Sequence, residues 1–186
     1  MLDGILVAVG VLFLVALGYF LGRYLRAYFR LKGKMLVTCP ETNEPVAVEP
    51  DTGYAALTEV LGERNLRLRD CTRWPEHADC GQACLTQIEH APEHCLVRNL
   101  LADWYRGKPC VYCGKPFGEI RWHDHKPALR RPDGVTVEWH EIAVEALPEV
   151  LNTHQPVCWN CHIAETFRRT HPELVTDRPA RPRHLV

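Results

Sequence analysis

Methionine is scarce in this chain, with two among 186 residues, at positions 1 and 35. A haem iron seeking a distal methionine has only these to draw on, although ten histidines are present. Strong positive charge is missing as well. Residues 35–104 hold five Lys/Arg against twelve Asp/Glu, and residues 105–186 hold twelve against ten. No part of the region beyond residue 34 is strongly basic, so composition does not announce a nucleic-acid partner. No cation precedes the first apolar run, whose only early charge is Asp3, and no lipobox-like cysteine follows it. Both lacks argue against a cleaved signal peptide. No internal repeat is found.

What is there begins with that apolar run. Ile5 to Gly22 carries no charge. At about 1.5 Å per residue it spans roughly 27 Å, close to a hydrocarbon core of about 30 Å. Tyr19, Tyr24 and Tyr28 fall where an interfacial aromatic belt is expected. Five cations (Arg23, Arg26, Arg30, Lys32 and Lys34) follow, with no acid among them. Such a cluster holds its flank in the cytoplasm. The reading is a single-pass anchor in the cell inner membrane, with the N-terminus outside and residues 35–186 inside. Gly18 and Gly22 form a GxxxG pair, although glycine is common in membrane helices generally.

In a reducing compartment, nine cysteines are better metal ligands or buried thiols than disulfides. Two C-x-x-C pairs, Cys110/Cys113 and Cys158/Cys161, are the strongest signal. Zinc favours four thiolates in a tetrahedron, and a C-x-x-C turn aims two sulfurs at one point. Gly114 permits the sharp backbone of such a knuckle. The residues between the pairs can hold a β-hairpin, and the second pair opens a helix reaching about Thr170. Knuckle, hairpin and helix in that order describe a treble clef. Cys158-Trp-Asn-Cys161-His162 also matches the c-type haem motif, C-x-x-C-H. The inferred orientation and the presence of the Cys110/Cys113 pair count against haem. Upstream, Cys39, Cys71, Cys80 and Cys84 are candidates for a second site, holding zinc or an iron–sulfur cluster. Cys95 reads as a small apolar filler.

The remaining pattern is α+β. Strands are expected at Met35–Thr38 and 46–48 around the turn CPETNEP, and a strand at 66–69 by alternation. Helices are expected at 54–61, stopping at Gly62, at 82–90 and at 92–106, closing at Gly107. Further on, 120–122 and 135–139 read as the two strands of a hairpin across the turn RRPDG, with a helical turn at 148–151. The expected division is an anchor with its basic flank (1–34), a cysteine-containing α+β segment (35–107), a treble-clef zinc domain (108–173) and an unfolded Pro/Arg-rich tail (174–186).

Cys110-Val-Tyr-Cys113-Gly-Lys-Pro-Phe117, then Asp124-His125, Asn152 and Cys158-Trp-Asn-Cys161-His162 together resemble the HNH (His-Asn-His) nuclease pattern over residues 109–170. The resemblance implies a treble clef clamped by the four-cysteine zinc. It also implies that His125 is the general base acting on water, that Asn152 orients His125, and that Asp124 and His162 bind a separate divalent cation. The sequence departs from that pattern in placing Pro127 two residues after His125 and in carrying Ile163-Ala-Glu165 after the last Cys-His pair. Arg168 and Arg169 are the nearby cations that could substitute there.

Three functions of different class follow. One is a zinc-stabilised structural or adaptor module that holds a protein partner at the membrane. Another is an HNH-type nuclease, the reading under which nucleic acid is a partner. The third is an iron–sulfur or c-type haem electron-transfer subunit.

Overall fold

A computed structural model describes residues 2–175. The tail expected at 174–186 lies, from residue 176 onward, outside the described residues. The chain divides into two units. The first runs to Asp103 and takes back Ala143–Pro148; the second comprises Trp104–Ile142 and the residues from Glu149 on.

The first unit begins with a 30-residue helix, α1 (Leu2–Leu31). Between Asp3 and Leu31 it is long and apolar enough to cross a membrane. From Asp3 to Arg23 its side chains are exposed. The last two turns differ. Ala27 and Leu31 are buried, and Leu31 belongs to the main core of the unit. The basic flank is therefore partly folded structure. Arg30 pairs with Glu59 at 2.7 Å, Arg23 donates to the Glu59 carbonyl, and Arg98 donates to that of Phe29.

That core lies on one face of a three-stranded antiparallel sheet of β1 (Met35–Thr38), β2 (Pro45–Pro50) and β3 (Leu68–Cys71), in the order β1-β2-β3. The period-two geometry of strands sends Met35, Val37 and Cys39 the same way. Val37 pairs with Val46, and Val48 faces both Met35 and Cys71 across the ladder. All of these residues are buried in one cluster. Helix α2 (Thr52–Leu61) starts at Asp51, whose carboxylate accepts the Tyr54 N–H at 3.0 Å, and stops at Gly62, whose φ of 125° suits glycine.

Three short helices follow: α3 (Leu85–His90), α4 (Pro92–Cys95) and α5 (Val97–Tyr105). The single helix expected at 92–106 is broken at Leu96, where ψ of 120° is extended. Leu96 bridges to Met35 instead, and burial of its side chain in the core accounts for the break. The helix expected from residue 82 starts at Leu85, because Gln82 sits at φ 51° and cannot join an α-helix there.

The second unit carries its own three-stranded sheet: β4 (Ala128–Arg130), β5 (Thr136–Val137) and β6 (Gln155–Val157), in the order β5-β4-β6. The expected strand at 120–122 does not form. The partner of β5 is β4, a fully apolar-to-basic triplet just after Pro127, and β4's other edge is taken by β6. That leaves Ile120 to pack onto the core from an irregular segment. Helix α6 (Leu147–Thr153) belongs to this unit from Glu149 on, and α7 (Trp159–Thr170) follows β6. Tyr105 is the centre of the second core: it is fully buried, touches Trp104, Phe117 and Trp139, and donates its hydroxyl to the Ala128 carbonyl at 2.6 Å.

Candidate metal centre

The knuckle is built by two backbone bonds. Cys110 N–H donates to the Lys115 carbonyl at 2.8 Å, and Gly114 N–H returns to the Cys110 carbonyl at 2.9 Å. The turn closes only because Gly114 takes φ 72°. A bridge between Pro109 and Pro116 holds its base, and Val111 N–H ties it to Pro156 on β6. β6 runs directly into Cys158, which stands immediately before α7; Cys161 lies within the first turn. The four thiols of Cys110, Cys113, Cys158 and Cys161 all fall within 4.8 Å of one another. Cys113 and Cys158 are 3.8 Å apart. A tetrahedron with metal–sulfur bonds of about 2.3 Å has sulfurs roughly 3.8 Å apart, so the donor set fits a thiophilic ion such as zinc.

The electrostatics fit the same purpose. Burial opposes ionisation of Cys110, but the N–H groups of Cys158, Cys113 and Tyr112 outweigh it and hold the thiol down at about 7. The Cys158 N–H lies 3.3 Å from that sulfur. Burial pushes Cys158 up, and burial with the neighbouring sulfurs pushes Cys161 up strongly. The backbone favours the Cys110 thiolate, whereas Cys158 and Cys161 need a cation among them to ionise.

A cavity of about 420 Å³ opens beside the cluster, lined among others by Lys115, Arg121, Asp124, His125, Cys158 and Trp159. Asp124 and His125 meet directly, at 2.8 Å between Oδ2 and Nδ1, and both are exposed. His125 takes φ 52°, a conformation that histidine adopts more readily than most residues. His162 is elsewhere. It is buried, its Nδ1 lies 3.0 Å from the Thr136 hydroxyl, and its Nε2 is 3.6 Å from Glu138. The carboxylate it faces is thus Glu138, which also caps the turn at Trp139–Glu141. Asn152 sits on α6. Among the described residues, Asp124, His125 and His162 do not form a set with ligand atoms as close as the four thiols. Thr136 and Glu138 went unmarked as site residues in the sequence, because only the folded hairpin brings them to His162. Arg168 lies against Glu165 on α7, and both, with Arg169, line a separate cavity beside Thr136.

The upstream cysteines lie in the first unit. Cys39, Cys71 and Cys84 are buried members of its core, and Cys80 is half-buried. Burial pushes the Cys84 thiol up to about 11, and the adjoining thiols of Cys71, Cys80 and Cys39 push the same way. For Cys39 burial is outweighed by the N–H groups of Thr42 and Glu41, the Thr42 hydroxyl and the Arg73 guanidinium, which hold the thiol below its ordinary value. Cys95, in the same core, points its thiol at the Gln87 carbonyl.

Compared with known proteins, the chain matches no family model, no curated protein and no solved structure.

Proposed function

We propose that this chain is a single-pass, membrane-anchored zinc protein whose cytoplasmic part serves as a structural or adaptor module for a protein partner at the inner membrane. The observation that carries this reading is the gathering of four thiols within 4.8 Å where a knuckle, a hairpin and a helix meet. That succession of elements supports a treble clef, with zinc held by Cys110, Cys113, Cys158 and Cys161. The apolar α1 supports the anchor, and the five cations after Gly22 support a cytoplasmic domain. The test is metal analysis of the full chain in detergent together with a visible spectrum. Zinc bound through Cys110 and its three partners, in a colourless sample, is the expected result. Haem absorbance would overturn the reading in favour of electron transfer, and so would iron lost on mutating these four cysteines.

A second reading rests on the cavity. Asp124 and His125 line it beside Lys115 and Arg121, a placement that suits a general base and a phosphodiester. In this HNH-type reading His125 activates water, Asn152 orients it, and Asp124 with His162 holds a divalent cation. The engagement of His162 with Thr136 and Glu138 favours the adaptor reading over this one. Metal-dependent DNA cleavage by the full chain that is abolished by His125→Ala would reverse that order.

A further inference from the structure

The turn at Cys39 has the same hydrogen bonds as the metal-site knuckle at Cys110. Cys39 N–H donates to the Glu44 carbonyl at 2.9 Å, and Asn43 N–H returns to the Cys39 carbonyl at 2.8 Å. These are the same two bonds, at the same offsets, that close the Cys110 turn at 2.8 and 2.9 Å. The left-handed residue also falls at the same place, with Asn43 at φ 59° where the other turn has Gly114 at φ 72°. The sulfurs are bonded alike: Cys39 accepts the N–H groups of Glu41 and Thr42, as Cys110 accepts those of Tyr112 and Cys113. Backbone N–H groups aimed at a sulfur are the feature that lets a knuckle hold a thiolate against a metal. The difference is one side chain. Thr42 stands where Cys113 supplies the second ligand, so the Cys39 knuckle brings one thiol and the others must arrive from elsewhere.

They do arrive. Cys71 ends β3 on the sheet face that carries Cys39. The segment crossing that face is pinned at both ends by glutamine side chains. Gln82 Oε1 accepts the Leu68 N–H at 2.9 Å, and the Gln87 amide both accepts from Thr38 N–H at 3.0 Å and donates to its carbonyl. Cys84 lies between those two pins in sequence and is buried in the core cluster that also holds Cys39 and Cys71, with Cys80 half-buried. Arg73 reaches the Cys39 sulfur at 2.9 Å, a cation next to the anion that ligation would require. Residues 72–84 form no helix or strand, only local turns. A stretch of that length without regular structure calls for a clip. Cysteines stand just before it, near its end and at its end.

From this juxtaposition we infer a second thiolate centre in the first unit, in which Cys39, Cys71, Cys80 and Cys84 take a thiophilic divalent ion, zinc, and fasten the 72–84 segment to the sheet. It is independent of the Cys110 site, since no residue is shared and the two belong to different units.

The test uses the full chain in detergent. Zinc is counted per chain, and cysteine alkylation is mapped by mass spectrometry before and after chelation. The expected result is two zinc ions per chain. Cys39, Cys71, Cys80 and Cys84 should be protected until chelator is added, whereas chelation leaves the rate at Cys95 unchanged or raises it less. A Cys110→Ser/Cys161→Ser chain should retain one zinc. It should also show, on cobalt substitution, the charge-transfer band of a tetrathiolate. One zinc per chain, with the upstream four alkylated at the same rate with and without chelator, would overturn the inference. Iron with acid-labile sulfide in that Cys110→Ser/Cys161→Ser chain would overturn the divalent-ion assignment. Loss of zinc from the Cys110 site alone would count against the proposed function and leave this inference standing, because the alkylation map separates the two sets.

Discussion

Tyr105→Phe removes one oxygen from the middle of the second unit. That oxygen donates to the Ala128 carbonyl at 2.6 Å and accepts the Trp139 indole N–H at 3.2 Å. The ring is fully buried, so water cannot replace either bond without opening the core. Phenylalanine fills nearly the same volume, and the cost is therefore polar rather than steric. Leaving a buried donor or acceptor unpaired costs about 1–3 kcal/mol. The Ala128 carbonyl lies where β4 meets β6 and the indole is only partly buried, which places the expected loss near the lower end for each group, about 2 kcal/mol in all. In a unit of this size about 1 kcal/mol moves the melting temperature by roughly 4–8 °C, so a fall of roughly 8–16 °C is expected.

The consequence should reach the four-cysteine cluster. Ala128 belongs to the small cluster that also holds Cys110 and Val157, so the hydroxyl of Tyr105 steadies the floor on which the knuckle rests. Thermal unfolding followed by near-ultraviolet circular dichroism, on the full chain in detergent with zinc saturating and with chelator, measures both effects. The drop should be present in each condition, and bound zinc should raise both proteins' melting temperatures through mass action. A Tyr105→Phe chain melting within a degree or two of the parent would refute the argument, since it would mean that the hydroxyl is solvated or unpaired in solution.

Two further outcomes follow from the first unit. Asp51→Ala removes the α2 cap and the Arg67 ion pair (2.6 Å) and should cost about 1–2 kcal/mol in urea unfolding, with Asp51→Asn milder because the cap survives. The Tyr54 N–H, then Arg67, holds the Asp51 carboxyl below the usual carboxylate range. Its contribution is therefore full above the unfolded value of about 3.9 and is lost as pH falls through the lower folded value, so acid titration should narrow the gap between parent and Asp51→Asn below about pH 4. Leu31→Ala empties a fully buried site where α1 enters the core and should cost about 2–5 kcal/mol, read as faster proteolysis of the detergent-solubilised chain after α1.

Much of this was legible locally. The apolar run of α1, the hairpin around CPETNEP, the stop of α2 at Gly62 and the opening of α7 at the second cysteine pair each rest on residues adjacent in sequence. The four-thiol cluster was legible for the same reason, because each C-x-x-C turn carries its own geometry. What failed was non-local. The triplet Ile120-Arg-Trp122 alternates like a strand, but a strand needs a ladder partner, and β5 found β4. The break at Leu96 depends on Met35, some sixty residues earlier, as the ends of an isolated bridge. The environment of His162 depends on Thr136 and Glu138, which no spacing rule joins to it.

The Cys39 turn lies between these cases. A search for paired cysteines passes over it, since Thr42 occupies the second position. Its backbone signature is nonetheless written locally: a cysteine, then four residues later Asn43, one of the few residue types that take positive φ readily. The Cys110 turn satisfies the same rule with Gly114. The ring of backbone bonds that directs N–H groups at a sulfur is set by the residue at the fifth position, whereas the number of ligands a turn delivers is set by the fourth. Under the proposed second centre, one chain would use a single turn twice, once as a complete pair of ligands and once as a single thiol completed from β3 and the 72–84 segment. It also sets a strict demand on Asn43: Asn43→Gly should preserve upstream metal binding, whereas Asn43→Val, β-branched and disfavoured at positive φ, should weaken it without touching a sulfur.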